Sequence, residues 1–240
     1  MTENIQTADS VPAKPKKKWY FRWWAIIIFL ILLYLVITFI LLATASDSRP
    51  SVQTSISSAN RADEAELYLN SQDDPFFGQK DALVKIVEFG DFQCPYCRQS
   101  FPVVREILSK YQNDIYFVYR DFPVISIHQE ALKAAEAAQC ALEQEKFWPM
   151  HDKLFINQEN LSLTDLKVYA MEIGLDTAKF NGCLDSGKYS AEVIQDYEDG
   201  IGLGVIGTPT FFINGYRISG SIPSEIFTRL IEQAKSEGSL

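Results

Sequence analysis

The chain has 240 residues, 47% of them hydrophobic and 13% aromatic, which suits one domain with a sizeable core plus additional segments. Its formal net charge is −9, although the first 22 residues carry five basic groups (Lys14, Lys16, Lys17, Lys18, Arg22) against Glu3 and Asp9. Everything after them is therefore strongly acidic, so no nucleic-acid partner is expected.

In chain order, residues 1–22 read as a basic N-terminal segment, followed by 24 residues without a charge from Trp23 to Ser46. A helix of that length covers about 36 Å, against a hydrocarbon core of about 30 Å. Trp19, Tyr20, Trp23 and Trp24 form an interfacial aromatic cluster. Basic residues preceding an apolar run predict an N-terminus inside and the rest outside, that is, a signal-anchor at 23–46 in the cytoplasmic membrane. The alternative is a cleaved signal peptide with Ala43-Thr44-Ala45 as the cleavage site and a secreted or periplasmic product. Both readings place the cysteines in a disulfide-permissive compartment. Residues 47–73 are polar and Ser-rich and predict a flexible tether, with a folded domain over 74–240.

Leu83 to Glu88 predicts a strand, while Phe101, Val104, Leu108 and Tyr111 recur at helical spacing. Between them lies Phe89-Gly90-Asp91-Phe92-Gln93-Cys94-Pro95-Tyr96-Cys97, a Cys-x-x-Cys at a strand-to-helix turn. Free N–H groups and the helix dipole at such a turn favour an anion, so Cys94 is the expected nucleophile and Cys97 the resolving thiol. Burial one turn further along predicts a raised pKa for Cys97. Glu88 and Asp91 oppose the shift at Cys94, so its pKa is expected below the free value of about 8.5 and above about 3.5. A zinc site would need two further ligands, and Cys140, Cys183, His128 and His151 show no such spacing, so no metal is expected.

Ile115 to Arg120 predicts a second strand, parallel to the first because a helix joins them. From about 122 to 204 the chain predicts four or five helices: one Ala-rich over 129–145, one near Pro149, one from Ser162 or Thr164 to Gly174, one from Asp176, and one carrying Val193, Ile194, Tyr197 and Ile201. Pro209 opens a strand, Asn214-Gly215 a hairpin turn, and a final helix runs from Pro223 or Ser224 to Ala234. The expected architecture is β-α-β, helical insert, β-β-α, an α/β fold.

Cys94-Pro95-Tyr96-Cys97 together with Thr208-Pro209 resembles the thioredoxin-fold proteins, and the helical insertion narrows this to the DsbA-like thiol-disulfide oxidoreductases of the bacterial envelope, over roughly 74–234. The resemblance implies a thioredoxin fold with an all-helical insertion, preceded here by one transmembrane helix. It implies that Pro209 is cis and lies against the sulfurs, with Thr208, Pro95 and Tyr96 lining the substrate groove. It also implies that Glu88 is the buried acid near the cysteines. Two readings of Glu88 stand side by side, a proton acceptor for Cys97 and a solvent-facing strand end. Asp91 reads as a turn residue, His128 as a cap or surface residue, and His151 as packed within the insert.

Cys140 and Cys183 read either as a structural disulfide, worth up to about 4 kcal/mol for a loop of about 44 residues, or as two free buried thiols. The implied activity is introduction or exchange of disulfides in exported proteins. No cofactor beyond the dithiol is expected, and a quinone-linked membrane partner of the DsbB or VKOR-like type would reoxidise it. The alternatives are a membrane-tethered reductase or isomerase, and a non-catalytic binding or assembly module.

Overall fold

The computed structural model describes residues 20–45 and 74–237, with side chains for 26–39 and 74–236. The predicted basic segment up to 19 and the tether lie outside the described residues. Helix α1 (Tyr20–Ala45) is a 26-residue helix and forms a unit by itself. Its described side chains, 26–39, are almost all apolar and exposed. Among the described residues no helix is long and apolar enough to cross a membrane; the charge-free run 23–46 extends past the described side chains at both ends.

The second unit is a sheet wrapped by helices. Its strands are β1 (Phe76–Gly78), β2 (Val84–Gly90), β3 (Ile115–Asp121), β4 (Thr210–Ile213) and β5 (Tyr216–Ser219), in the order β1-β3-β2-β4-β5. As expected for a helix-linked pair, β2 and β3 are parallel, through α2 (Pro95–Lys110); the other pairings are antiparallel. Strand β1 was not anticipated: three residues carry too little periodicity to signal a strand. Asn214 sits at φ 45 and Gly215 at φ 81 in the β4–β5 turn, and the Asn214 carboxamide accepts from the Lys85 N–H (2.7 Å) and donates to the Leu83 carbonyl (3.1 Å). Those bonds tie the hairpin to the start of β2.

Alternation along β2 and β3 divides the core between two faces of the sheet. Val84, Ile86, Ile115, Phe117, Tyr119, Phe211 and Ile213 belong to the larger cluster, with Val104, Ile107 and Leu108 of α2 and Phe227 and Ile231 of α8 (Ser224–Glu237). Val87, Phe89, Val118 and Phe212 form the smaller one, with Phe122 and Val205. Because both faces are covered, β2 and β3 are nearly continuously buried rather than half-exposed.

Between β3 and β4 lie α3 (Ala131–Leu142), α4 (Phe147–Ile156), α5 (Leu163–Glu172), α6 (Thr177–Ser186) and α7 (Ser190–Gly202). Ser162 caps α5 with a capping box to Asp165, and the Asp176 carboxylate caps α6 by accepting from the Ala178 and Lys179 N–H groups. The buried stripe of α7 differs from its apolar pattern: Val193, Asp196 and Gly200 are buried, while Ile194 and Ile201 are exposed. The cause is Arg120 of β3, buried and held by Asp196 (2.5 Å), Asp199 (2.7 Å) and Asp74 (3.1 Å). This charge dictates which side of α7 turns inward.

Cys140 of α3 and Cys183 of α6 are joined, with 43 residues of sequence separation. Replacing both with Ser is expected to lower stability by about 2–4 kcal/mol, read as a reduced denaturation midpoint under non-reducing conditions.

Candidate active site

The site is built where β2 runs out. Cys94 is the N-cap of α2 with extended backbone (φ −75, ψ 123), and Pro95 occupies the first helical position, where a missing N–H leaves no bond unmade. Cys97 follows one turn inside. Both cysteines are free thiols. Cys94 is 5% exposed and Cys97 1%, so both sulfurs are buried. The reason lies in the segment before β4: the Thr208-Pro209 peptide is cis, and the Thr208 carbonyl lies 3.3 Å from the Cys94 sulfur, accepting from it while the thiol is protonated. Pro95 and Tyr96 are exposed, and the Tyr96 carbonyl accepts from the Ser221 hydroxyl (3.0 Å).

The two sulfurs differ in proton affinity. The Cys94 thiol is lowered to about 5, first by a hydrogen bond from the Cys97 thiol, with the Cys97 and Tyr96 backbone N–H groups adding to it against the cost of burial. Helix-start donors therefore contribute, as the sequence suggests, but the neighbouring thiol contributes more. Burial pushes the Cys97 thiol well above its usual value, reinforced by its bond to Cys94 and by the charges of Cys94 and Glu88. The Asp91 N–H lies at 3.5 Å from the Cys97 sulfur and acts in the opposite direction.

Glu88 is buried (3% exposed), which removes the solvent-facing reading, and burial pushes its carboxyl up to about 8. Asp91 is more than a turn residue. Its carboxylate, 2% exposed, accepts from the Gln93 N–H (2.7 Å) and the Val124 N–H (2.8 Å) and pairs with His128 Nδ1 (2.7 Å). His128 is accordingly no free surface residue: the loop after β3 folds it back onto the active-site turn. His151 is packed as expected, 1% exposed and ringed by Phe92, Tyr119, Trp148 and Phe155, with its pKa lowered by burial. Gln158 was not anticipated. From the α4–α5 loop its amide donates to the Phe92 (2.8 Å) and Cys94 (2.9 Å) carbonyls. A polar residue in a loop between helices carries no local signal for such a contact.

A lowered nucleophile, a high-pKa partner beside it and a buried carboxyl of intermediate pKa form a set suited to thiol-disulfide exchange. A family model described as thioredoxin matches residues 70–233. Among solved structures, a thioredoxin-like oxidoreductase from Silicibacter pomeroyi is 26% identical, with a TM-score of 0.65 over 71% of this chain and 97% of that one. The alpha-DsbA1 protein from Wolbachia pipientis is 25% identical, with a TM-score of 0.64 over 73% of this chain and 98% of its own. A curated relative, the Na(+)/H(+) antiporter NhaA 1 of Salinispora arenicola, is 40% identical over 157 residues, 65% of this chain. The chain spans about a quarter of the length of such relatives (24% of that one).

A carboxyl raised from 4.5 to about 8 on folding binds its proton more tightly in the native state. Its stabilising effect is fully present below 4.5 and is lost as pH rises towards about 8. The stability of the protein relative to its Glu88→Gln variant is expected to fall with pH across this window by up to about 1.4 kcal/mol per unit, a difference that leaves out the opposite contribution of the Cys94 thiol, lowered to about 5.

Proposed function

Because the chain belongs to the thioredoxin family, within which its neighbours of known structure include DsbA-type proteins, we propose that it is a protein disulfide oxidoreductase acting through the Cys94–Cys97 dithiol/disulfide. The observation that carries this reading is the asymmetry of the sulfurs: Cys94 lowered to about 5 against the cis Thr208-Pro209 segment, with Cys97 raised behind it. At neutral pH Cys94 is a thiolate and Cys97 a thiol.

In the reducing direction the Cys94 thiolate attacks a substrate disulfide, forming a mixed disulfide and releasing one substrate thiolate. Cys97 then loses its proton to the Glu88 carboxylate and attacks the Cys94 sulfur. The Cys94–Cys97 disulfide forms and the second substrate sulfur leaves. Oxidation of a dithiol substrate runs through the same steps in reverse, with Glu88 returning the proton to Cys97. Stabilising the Cys94 thiolate favours the reduced enzyme and so makes its disulfide oxidising, which supports introduction of disulfides over reduction.

The substrates in this reading are exported proteins, and the electron acceptor is a quinone-linked membrane protein of the DsbB or VKOR-like type. The 23–46 segment anchors the domain outside the cytoplasmic membrane, N-terminus inside. Its charge-free length supports this, as does the occurrence of a similar domain within proteins named as Na(+)/H(+) antiporters.

Cys94→Ser is expected to abolish disulfide exchange in a reduced-substrate oxidation assay, while Cys97→Ser is expected to accumulate mixed disulfides recoverable from cells under non-reducing conditions. A protein whose cellular role survives Cys94→Ser would instead be a binding module. For the anchor, protease added outside spheroplasts should digest the domain and spare a membrane-bound N-terminal fragment.

A further inference from the structure

Behind the thiols, the parallel register sets Glu88 beside Tyr119 and Gly90 beside Asp121, so these positions share the sheet face that α2 covers. The Tyr119 ring is fixed between Phe92 (5.3 Å, stacked), His151 (5.2 Å) and Phe147 (5.7 Å). Its hydroxyl lies over Gly90, where a Cβ would stand 2.5 Å from the oxygen. That hydroxyl is fully buried and has no hydrogen-bond partner. An unpartnered buried hydroxyl is a net cost to the fold, and phenylalanine would fill the same space without it. Glu88, meanwhile, must become an anion within this apolar layer each time it gives up its proton, and a buried anion needs a donor.

We propose that Tyr119 is a positioning residue for the buried proton transfer, its hydroxyl donating to the Glu88 carboxylate whenever Glu88 is ionised and ready to accept the Cys97 proton. The step is balanced as Cys97–SH plus Glu88 carboxylate giving Cys97 thiolate plus Glu88 carboxylic acid, with the Tyr119 proton staying on its oxygen throughout. This inference rests on the reading of Glu88 as proton acceptor. The titratable groups around the layer are Cys94 at the N-cap of α2 and Cys97 within it, Asp91 with His128, His151 on α4, and Asp121 with its Gln139 contact (2.7 Å) from α3. Asp196 and Glu192 of α7 and Asp74 act on Asp121, with Arg120 paired to Asp196.

The test uses the full chain as wild type, Tyr119→Phe, Asp121→Asn and Glu88→Gln, with a small aromatic disulfide as probe. The first step, attack by Cys94, and the second, release of the mixed disulfide by Cys97, are followed separately against pH, together with Cys94 thiolate absorbance. Loss of the hydroxyl raises the pKa of Glu88, so Tyr119→Phe should move the second step's pH profile upward by about one unit, about a tenfold loss of rate on its acidic limb. The first step and the Cys94 titration should stay unchanged, and thermal stability should be equal or higher. Glu88→Gln should remove the inflection, and Asp121→Asn should leave it in place. An unchanged profile in Tyr119→Phe, with Glu88→Gln still defective, overturns this assignment alone, as does an equal shift in Asp121→Asn. A normal profile in Glu88→Gln overturns the Glu88 reading together with it.

Discussion

Two sulfurs sharing a proton in a site nearly closed to water set the terms for the rest of the molecule. A thiolate buried to 5% exposure survives only where donors surround it, and here the first of these is the Cys97 thiol. Each sulfur defines the other: the bond that lowers Cys94 raises Cys97, because a proton held for the neighbour's charge is harder to release. Chemistry then requires the held proton to leave at the right moment. Under the exchange proposed above, that requirement gives a use to the carboxyl of Glu88, buried on the same sheet face, which otherwise costs the fold.

Holding such a turn in one geometry falls largely to the helical insertion. The amide of Gln158 clamps two carbonyls of the turn, the Gln93 side chain accepts from the Glu130 N–H at the start of α3 (2.8 Å), and Asp91 gathers Val124 and His128 from the loop after β3. Each tie joins the motif to chain that follows β3. The Cys140–Cys183 bridge fastens α3 to α6 within the same insert. The insertion therefore supports the turn directly as well as covering the sheet.

The sequence was legible where structure is local and periodic. The β2-turn-α2 unit, the capped helices at Ser162 and Asp176 and the Asn214-Gly215 hairpin each carry their signal within a few residues. Thr208-Pro209 became meaningful through resemblance, since a loop proline has no local mark of its role. What escaped was long-range or short. β1 has three residues, and the Asp91–His128 pair spans 37 positions that no periodicity connects. The inward side of α7 was hidden because Asp196 and Gly200 read as exterior residues until Arg120 is placed opposite. Placing the two predicted parallel strands in register would have set Tyr119 beside Glu88, the one distant neighbour within reach of sequence reasoning.

The Arg120 cluster also bears on how an acidic domain keeps an anionic sulfur. Asp74, Asp196 and Asp199 would raise the Cys94 pKa if their charge reached it. They gather instead around Arg120, whose guanidinium also lies 5.5 Å from the Phe89 ring, and Phe89 belongs to the core cluster on the sheet face away from Cys97. Asp121 shares the face of the thiols, but burial and the charge of Asp196 push its carboxyl well above the usual range, which disfavours its charged form there. Asp91, the remaining buried acid of the turn, is offset by two backbone N–H groups and His128. Apart from Glu88, the acids near the sulfurs are confined, paired or held towards the neutral form, and the stabilisation of the Cys94 thiolate comes first from its hydrogen bond with Cys97.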